Sequence, residues 1–336
     1  MQSCRTLLVA VVVLGFAALV AGTGKGEEPS AKKAQSATPD TRKRVEVPEG
    51  GVKEMLAFIE EMNKNKPGTV PGSYAAMRKA TERIVRLATE EDKKLPGYND
   101  AIGMHFRFRT TDAVKSAAAR IKLRDDLKTY FAETAEPSDH AFSAARSLCG
   151  ILEYGENPRG AIPLYRELGA ALARHDDERA AKVGRRLLGT ARRLGLIGES
   201  LEISGTRIDG TKFDWEKLRG KVVLVDFWAT WCTPCTKEFP HIKRHYEQYH
   251  DKGFEVVGIS VDEDRQALDT YLAKETIPWV TLHDGGFEDS PLAIDYGLSG
   301  IPTTLLVDRQ GTVVSLDARG DELDRKLAEL LGPAEN

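Results

Sequence analysis

Cysteine is scarce in this chain. Only four occur in 336 residues, Cys4, Cys149, Cys232 and Cys235. Just the last two are close in sequence, which excludes a small disulfide-stapled scaffold. An excess of charge is missing as well: 48 basic residues stand against 51 acidic ones, a formal net charge of −3. With no acidic tail and no strong field, nucleic-acid binding is not expected. Flavin and nicotinamide motifs are absent, so no cofactor is expected beyond what the cysteines themselves supply. What is present is 41% hydrophobic and 29% charged residues, the balance of a chain that buries a core rather than of a disordered or multi-span membrane protein. The length suits about two ordinary domains.

The N-terminus reads as an address. After Arg5, residues 7–20 are wholly apolar, and the run breaks into Ala21-Gly-Thr-Gly24. A basic start, a short apolar stretch and a small-residue exit make residues 1–24 a secretory signal peptide. An uncleaved anchor is the alternative, although the stretch is short of the about 20 apolar residues a membrane span needs. Cys4 lies on the wrong side of the run for a lipidated N-terminus. Both readings export the rest of the chain, to the periplasm or the outer face of the cytoplasmic membrane. Residues 25–48 carry almost no large apolar side chain and read as a flexible linker, with Arg42-Lys-Arg44 solvated.

Residues 49–198 read as an all-α domain. Met55, Phe58, Ile59 and Met62 recur at helical spacing, and Pro67-Gly and Pro71-Gly break the chain. Further helices are expected over Tyr74 to Ala88, over Ala113 to Phe131 behind a Thr111/Asp112 cap, and over 138–154, 158–174 and 176–194. A helical bundle is the plain reading, with tetratricopeptide-like hairpins as the alternative. Cys149, in an apolar helical context, reads as inert packing.

From 199 to 336 short β-type runs alternate with helices. Strands are expected at Val222–Trp228, Phe254–Val261, Trp279–His283, Thr303–Asp308 and Thr312–Leu316. Helices are expected at Thr233–His250, Asp264–Lys274, near Pro291–Tyr296 and from Asp321 to Leu331. This pattern implies an α/β sheet that is parallel at first, closed by an antiparallel hairpin at Gln310-Gly311. His283 and Asp284 read as a solvated turn.

The chemistry concentrates at Val222-Val-Leu-Val-Asp226-Phe-Trp228-Ala-Thr-Trp231-Cys232-Thr-Pro-Cys235-Thr-Lys-Glu238-Phe-Pro240. A buried strand runs into a turn, and Cys-x-x-Cys opens a helix. There the unpaired backbone N–H groups and the helix dipole favour a thiolate at Cys232. Cys235, one turn on, is placed to attack a mixed disulfide at Cys232, and the pair suits reversible two-electron exchange. The competing reading is half a zinc site completed by His241 and His245. On a continuous helix His245 lies thirteen residues beyond Cys232, roughly 20 Å at 1.5 Å per residue, so those four side chains cannot share a metal. No metal is expected.

Asp-Phe-Trp-Ala-x-Trp-Cys-x-x-Cys resembles thioredoxin, and the longer stretch from Leu218 to Pro240 resembles the exported TlpA/ResA-type thiol–disulfide oxidoreductases. Gly300-Ile301-Pro302-Thr303-Thr304 is similar to that family's cis-proline loop, Pro240 to the proline that kinks its active-site helix, and the segment between Gly258 and His283 to its extra strand and helix. The resemblance covers roughly residues 200–334. It implies a thioredoxin-like domain, a central mixed sheet flanked by helices, with Cys232 attacking and Cys235 resolving. It also implies that Asp226 accepts the Cys235 proton, that Glu238 tunes thiol protonation, and that Trp231, Ile301 and Pro302 bind the partner peptide. Trp228 shields the pair or sits in the core. Many TlpA/ResA-type members are less acidic at the Asp226 position, where this chain leans toward thioredoxin.

The implied function is an enzyme of the cell envelope exchanging disulfides with substrate proteins, with Cys232–Cys235 itself as the redox group. Thr233-Pro234 lacks the histidine of strongly oxidising relatives, which favours a reductant fed by a membrane thiol donor, with the helical domain recruiting an envelope protein. The alternative is a non-catalytic partner-binding or copper-handling module. Copper-delivery relatives space their cysteines more widely and add a histidine, and the Thr-x-x-Cys context of peroxidases is missing.

Overall fold

The short, mostly apolar β-type runs of the C-terminal half pair into one sheet, and that sheet positions everything that follows. In this computed structural model residues 45–65, 72–155 and 157–333 are described. The expected leader or anchor at 1–24, and the expected linker as far as residue 44, lie outside the described residues. No described helix is long and apolar enough to cross a membrane.

Packing separates the chain into two units, one holding residues up to Pro158 with His175–Ala180, the other Arg159–Arg174 with Ala181 onward. The first unit contains helices α1 (Val52–Lys64), α2 (Ser73–Leu87), α3 (Tyr98–Lys115), α4 (Ala117–Glu133) and α5 (Asp139–Glu153). Met55, Ile84, Leu123, Leu127, Phe131 and Leu148 are buried in it. Phe131 stacks on Phe142 at 6.0 Å, and Tyr130 meets Phe106 edge-on at 5.3 Å. Cys149 is free and fully buried, and desolvation pushes its thiol pKa well up, so it stays a thiol.

The helix expected over Ala113 to Phe131 is two helices. Ser116 is extended, and its hydroxyl accepts from the Ala119 N–H at 3.3 Å, capping α4. The expected cap at Thr111/Asp112 lies inside α3, where the Thr111 hydroxyl donates back to the Phe108 carbonyl at 2.8 Å. Ala101, Ile102, Gly103 and Met104 are buried in succession. A helix covered on several sides shows no single apolar stripe, which is why the start of α3 at Tyr98 escaped the periodicity.

The second unit opens with α6 (Ile162–Ala173) and most of α7 (Glu178–Leu194), followed by β1 (Val222–Trp228), α8 (Thr233–Tyr249), β2 (Phe254–Ser260), α9 (Arg265–Lys274), β3 (Val280–His283), α10 (Pro291–Asp295), β4 (Thr303–Val307), β5 (Val313–Ser315) and α11 (Asp321–Leu331). The strand order is β3-β2-β1-β4-β5, with β1–β2 and β2–β3 parallel and β1–β4 and β4–β5 antiparallel. All seven β1 residues are buried, as a central strand covered on both faces requires. Phe239 and Ile242 of α8, Leu268 of α9 and Leu323 and Leu327 of α11 join the same core.

Within this unit α7 is fastened to the segment behind α10. The Thr190 hydroxyl donates to the Gly297 carbonyl at 2.8 Å, and Arg193 Nε donates to the Tyr296 carbonyl at 3.1 Å. The Arg186 guanidinium donates to the carbonyls of Leu298 and Phe287, both at 3.0 Å. Gly189 permits the approach, since a Cβ there would stand 2.1 Å from the Ile294 carbonyl oxygen. The sequence changes character at Gly198, but these contacts tie α7 to the segments around α10, and α6 falls in the same unit.

Candidate active site

Strand β1 delivers the site. It ends at Trp228, the chain turns through Ala229-Thr-Trp231, and Cys232 becomes the N-cap of α8, with Pro234 in the helix's first turn. Proline suits that place because its missing N–H would have no helical partner there. Cys232 and Cys235 are joined by a disulfide, and the Cys235 N–H points at Cys232 Sγ from 3.2 Å. Cys232 is 5% exposed and Cys235 1%, whereas Trp231 beside them is 57% exposed. Cys232, the less deeply buried of the two, therefore stands at the positive end of a 17-residue helix, next to that exposed tryptophan.

The Ile301–Pro302 peptide is cis, and β4 starts directly after it. Register places Thr303 opposite Phe227 and Thr304 opposite Asp226, so Pro302 lies level with the end of β1 where the cysteine turn begins. Ile301 and Pro302 are half-buried. Sequence positions 226, 232, 235 and 302 thus converge on one end of two adjacent strands.

Asp226 is 3% exposed. Desolvation raises its pKa to about 7, against the pull of the Arg319 charge and with a further push from Glu238. Glu238 is half-buried on α8, its carboxylate 3.4 Å from His241 Nδ1. Trp228 is completely buried, edge-on to Phe239 at 4.8 Å, which settles it as core rather than docking surface. Gly258, opposite Asp226 on β2, makes room for it: a Cβ there would lie 3.0 Å from Trp228 Nε1 and 3.2 Å from Trp279 Nε1.

Two residues beside this site were missed in the sequence. Arg319 lies outside every motif, yet its charge reaches Asp226. Asp262, two residues past β2 and 1% exposed, accepts from the Thr230 N–H at 3.0 Å, the Thr230 hydroxyl at 2.6 Å and the Ser260 hydroxyl at 2.8 Å. One carboxylate thereby holds the turn that presents Cys232. His283 is no solvated turn residue, since its Nε2 is 2.8 Å from the Asp262 carbonyl, and the Asp284 carboxylate accepts from the Ser290 hydroxyl at 2.8 Å. Asp262→Ala strands three donors in a buried place, and is expected to lower stability by about 3 kcal/mol. Urea unfolding followed by tryptophan fluorescence checks this, and a change under about 0.5 kcal/mol, typical of neutral surface substitutions, would refute it.

His241 and His245 do not complete a site with the cysteines. Both rings instead face Asp324 on α11.

A mixed sheet with a Cys-x-x-Cys disulfide at the first turn of the helix after β1, and a cis-proline beside it, defines a thioredoxin-fold thiol–disulfide oxidoreductase. The Redoxin family matches residues 200–331. Thiol-disulfide oxidoreductase ResA of Bacillus thuringiensis subsp. konkukian is 31% identical over 126 residues, covering 38% of this chain and 70% of that protein. ResA of Bacillus subtilis is 32% identical over 108 residues, covering 32% and 59%. A solved thiol-disulfide oxidoreductase from Bacteroides fragilis is 33% identical and covers 40% of this chain and 100% of its own, at a TM-score of 0.37. The chain belongs to the ResA-like family of thiol–disulfide oxidoreductases.

Proposed function

We propose that the protein is an envelope reductant of substrate-protein disulfides, with Cys232 as the attacking thiol. In the reduced enzyme the Cys232 thiolate attacks a client disulfide; one client sulfur leaves as a thiolate, and a mixed disulfide forms. Cys235 then loses its proton to Asp226 and attacks Cys232 Sγ. The second client sulfur leaves and takes up a proton, and the Cys232–Cys235 disulfide is the oxidised product. Two electrons have passed to the client, and an external thiol donor at the membrane returns them, so no bound cofactor is needed. Exposed Trp231, with Ile301 and Pro302, receives the client peptide, Glu238 adjusts proton transfer through its charge, and the helical region recruits an envelope partner.

The observation that carries this reading is the asymmetry of the pair: Cys232 caps the helix next to an exposed tryptophan, whereas Cys235 lies within its first turn and is 1% exposed. Thr233-Pro234 supports the reducing direction. Cys235→Ala tests it, because the second attack is removed while the first remains. Incubated in reduced form with envelope extract, the variant is expected to accumulate dithiothreitol-sensitive adducts through Cys232. Recovery of no adduct above the level of a Cys232→Ala/Cys235→Ala control would sink the relay.

A further inference from the structure

Beginning midway along α8, three ligand atoms converge that the redox chemistry does not use. His241 and His245 are one turn apart on α8, and Asp324 is in the first turn of α11. His241 Nε2 is 3.0 Å from His245 Nε2, and Asp324 Oδ1 is 2.9 Å from the first and 2.6 Å from the second. Hydrogen bonds can satisfy at most two of the three edges of this triangle. An imidazole nitrogen has one in-plane site, a proton or a lone pair, and so makes one directed bond. Each Nε2 here faces two partners at once. If both rings point protons at the carboxylate, the two N–H groups confront each other; if one donates to the other, one edge to Asp324 is left without a proton.

We propose that His241, His245 and Asp324 form a binding site for a borderline divalent transition cation of the zinc class. A cation at the centre uses one lone pair from each atom and removes the conflict. Two imidazoles and a carboxylate are a common donor set for zinc, and donors at about 2.0–2.1 Å in a tetrahedron stand roughly 3.3 Å apart, so the 3.0 and 2.9 Å edges need to open slightly and the 2.6 Å edge between His245 and Asp324 most. Asp324 is well placed to make that adjustment, its side chain being 45% exposed. Glu238 stands 3.4 Å from His241 Nδ1, where a carboxylate holds the ring proton and leaves the Nε2 lone pair free for metal. His245 is 4% exposed, and its Nδ1 is buried without a partner among the described residues, so the ring proton can reside there. Arg244 approaches the same Asp324 oxygen at 3.8 Å, but its side chain is 56% exposed and is free to swing into water. The metal would join α11 to the helix that carries the cysteines, with a fourth position open toward solvent.

The test uses the full chain in its oxidised form, so that the closed disulfide leaves the cysteine pair unable to bind metal. Zn²⁺ is titrated in competition with a chromophoric chelator. One equivalent per chain is expected, with affinity falling by about 100-fold or more in His241→Gln and in Asp324→Asn, and by about 10-fold in Glu238→Gln, which acts only through His241. The thermal transition of the parent chain is expected to rise with Zn²⁺, and that of Asp324→Asn to stay put. Asp324 is at the surface, so its variant decides the matter should His241→Gln fail to fold. No saturable binding, or binding that Asp324→Asn leaves intact, overturns the site.

Discussion

Cys232→Ser is expected to abolish dithiothreitol-driven reduction of insulin disulfides, a loss on the order of 10³-fold or more, as removal of a nucleophile generally causes. The serine hydroxyl keeps the cap on α8, so the fold and the N-terminal end of the helix survive while the thiolate does not. Cys235→Ser is expected to fail differently, capturing client once and turning over slowly. Cys149→Ser, deep in the helical unit with its thiol pKa pushed up by burial, is expected to leave the rate unchanged. The readout is insulin turbidity against time for the three variants. A normal rate in Cys232→Ser would refute the site assignment, and equal losses in all three would point to damage to folding instead of to chemistry.

Asp226→Asn is expected to stabilise the protein at alkaline pH and to slow resolution. The folded carboxyl titrates at about 7 because burial removes its water, whereas the ordinary value is 3.8. Between those limits the folded protein holds a proton that the unfolded chain has released. Stability therefore falls as pH rises through the window and is level above it. At about 1.4 kcal/mol per pKa unit the full difference is on the order of 4 kcal/mol. Asparagine does not ionise, so the variant gains this amount at pH 8 and little at pH 4 in urea unfolding. The same substitution removes the proton acceptor we propose for Cys235, and release of a thiol probe from a preformed Cys232 mixed disulfide is expected to slow by about 10²-fold, with the first attack unaffected. Equal stability gains at both pH values, or unaltered release, would remove Asp226 from the mechanism.

The parts of this molecule legible in the sequence were those encoded locally. Strand β1 is apolar except for Asp226 and ends at its motif, and both cysteines follow within seven residues, so strand, turn, cap and helix could all be read from one short window. The helix expected over 138–154 is α5, and the structure adds that the Ser138 hydroxyl caps it by accepting from the Ala141 N–H. Ser116 was harder, because Ala113 to Phe131 is rich in good helix formers on both sides of the break and only the extended backbone at one residue separates α3 from α4. What stayed hidden was long-range. Asp262 reaches Thr230 across 32 positions and His241 reaches Asp324 across 83. No spacing rule connects such residues, since only the folded strand order brings them together. Trp228 could be settled only by packing, because a tryptophan before a cysteine turn serves equally well as shield or as core.

The grip of α7 on Tyr296, Gly297 and Leu298 bears on where this protein can be cut. Those residues lie just upstream of Ile301 and Pro302, so the cis-proline loop is moored at its root by a helix that precedes the sheet in the chain. A fragment beginning at residue 199 would sever that mooring and uncover the bed of Gly189. One beginning at Arg159 would retain it, and is the shorter excision in which client capture should still proceed at full strength.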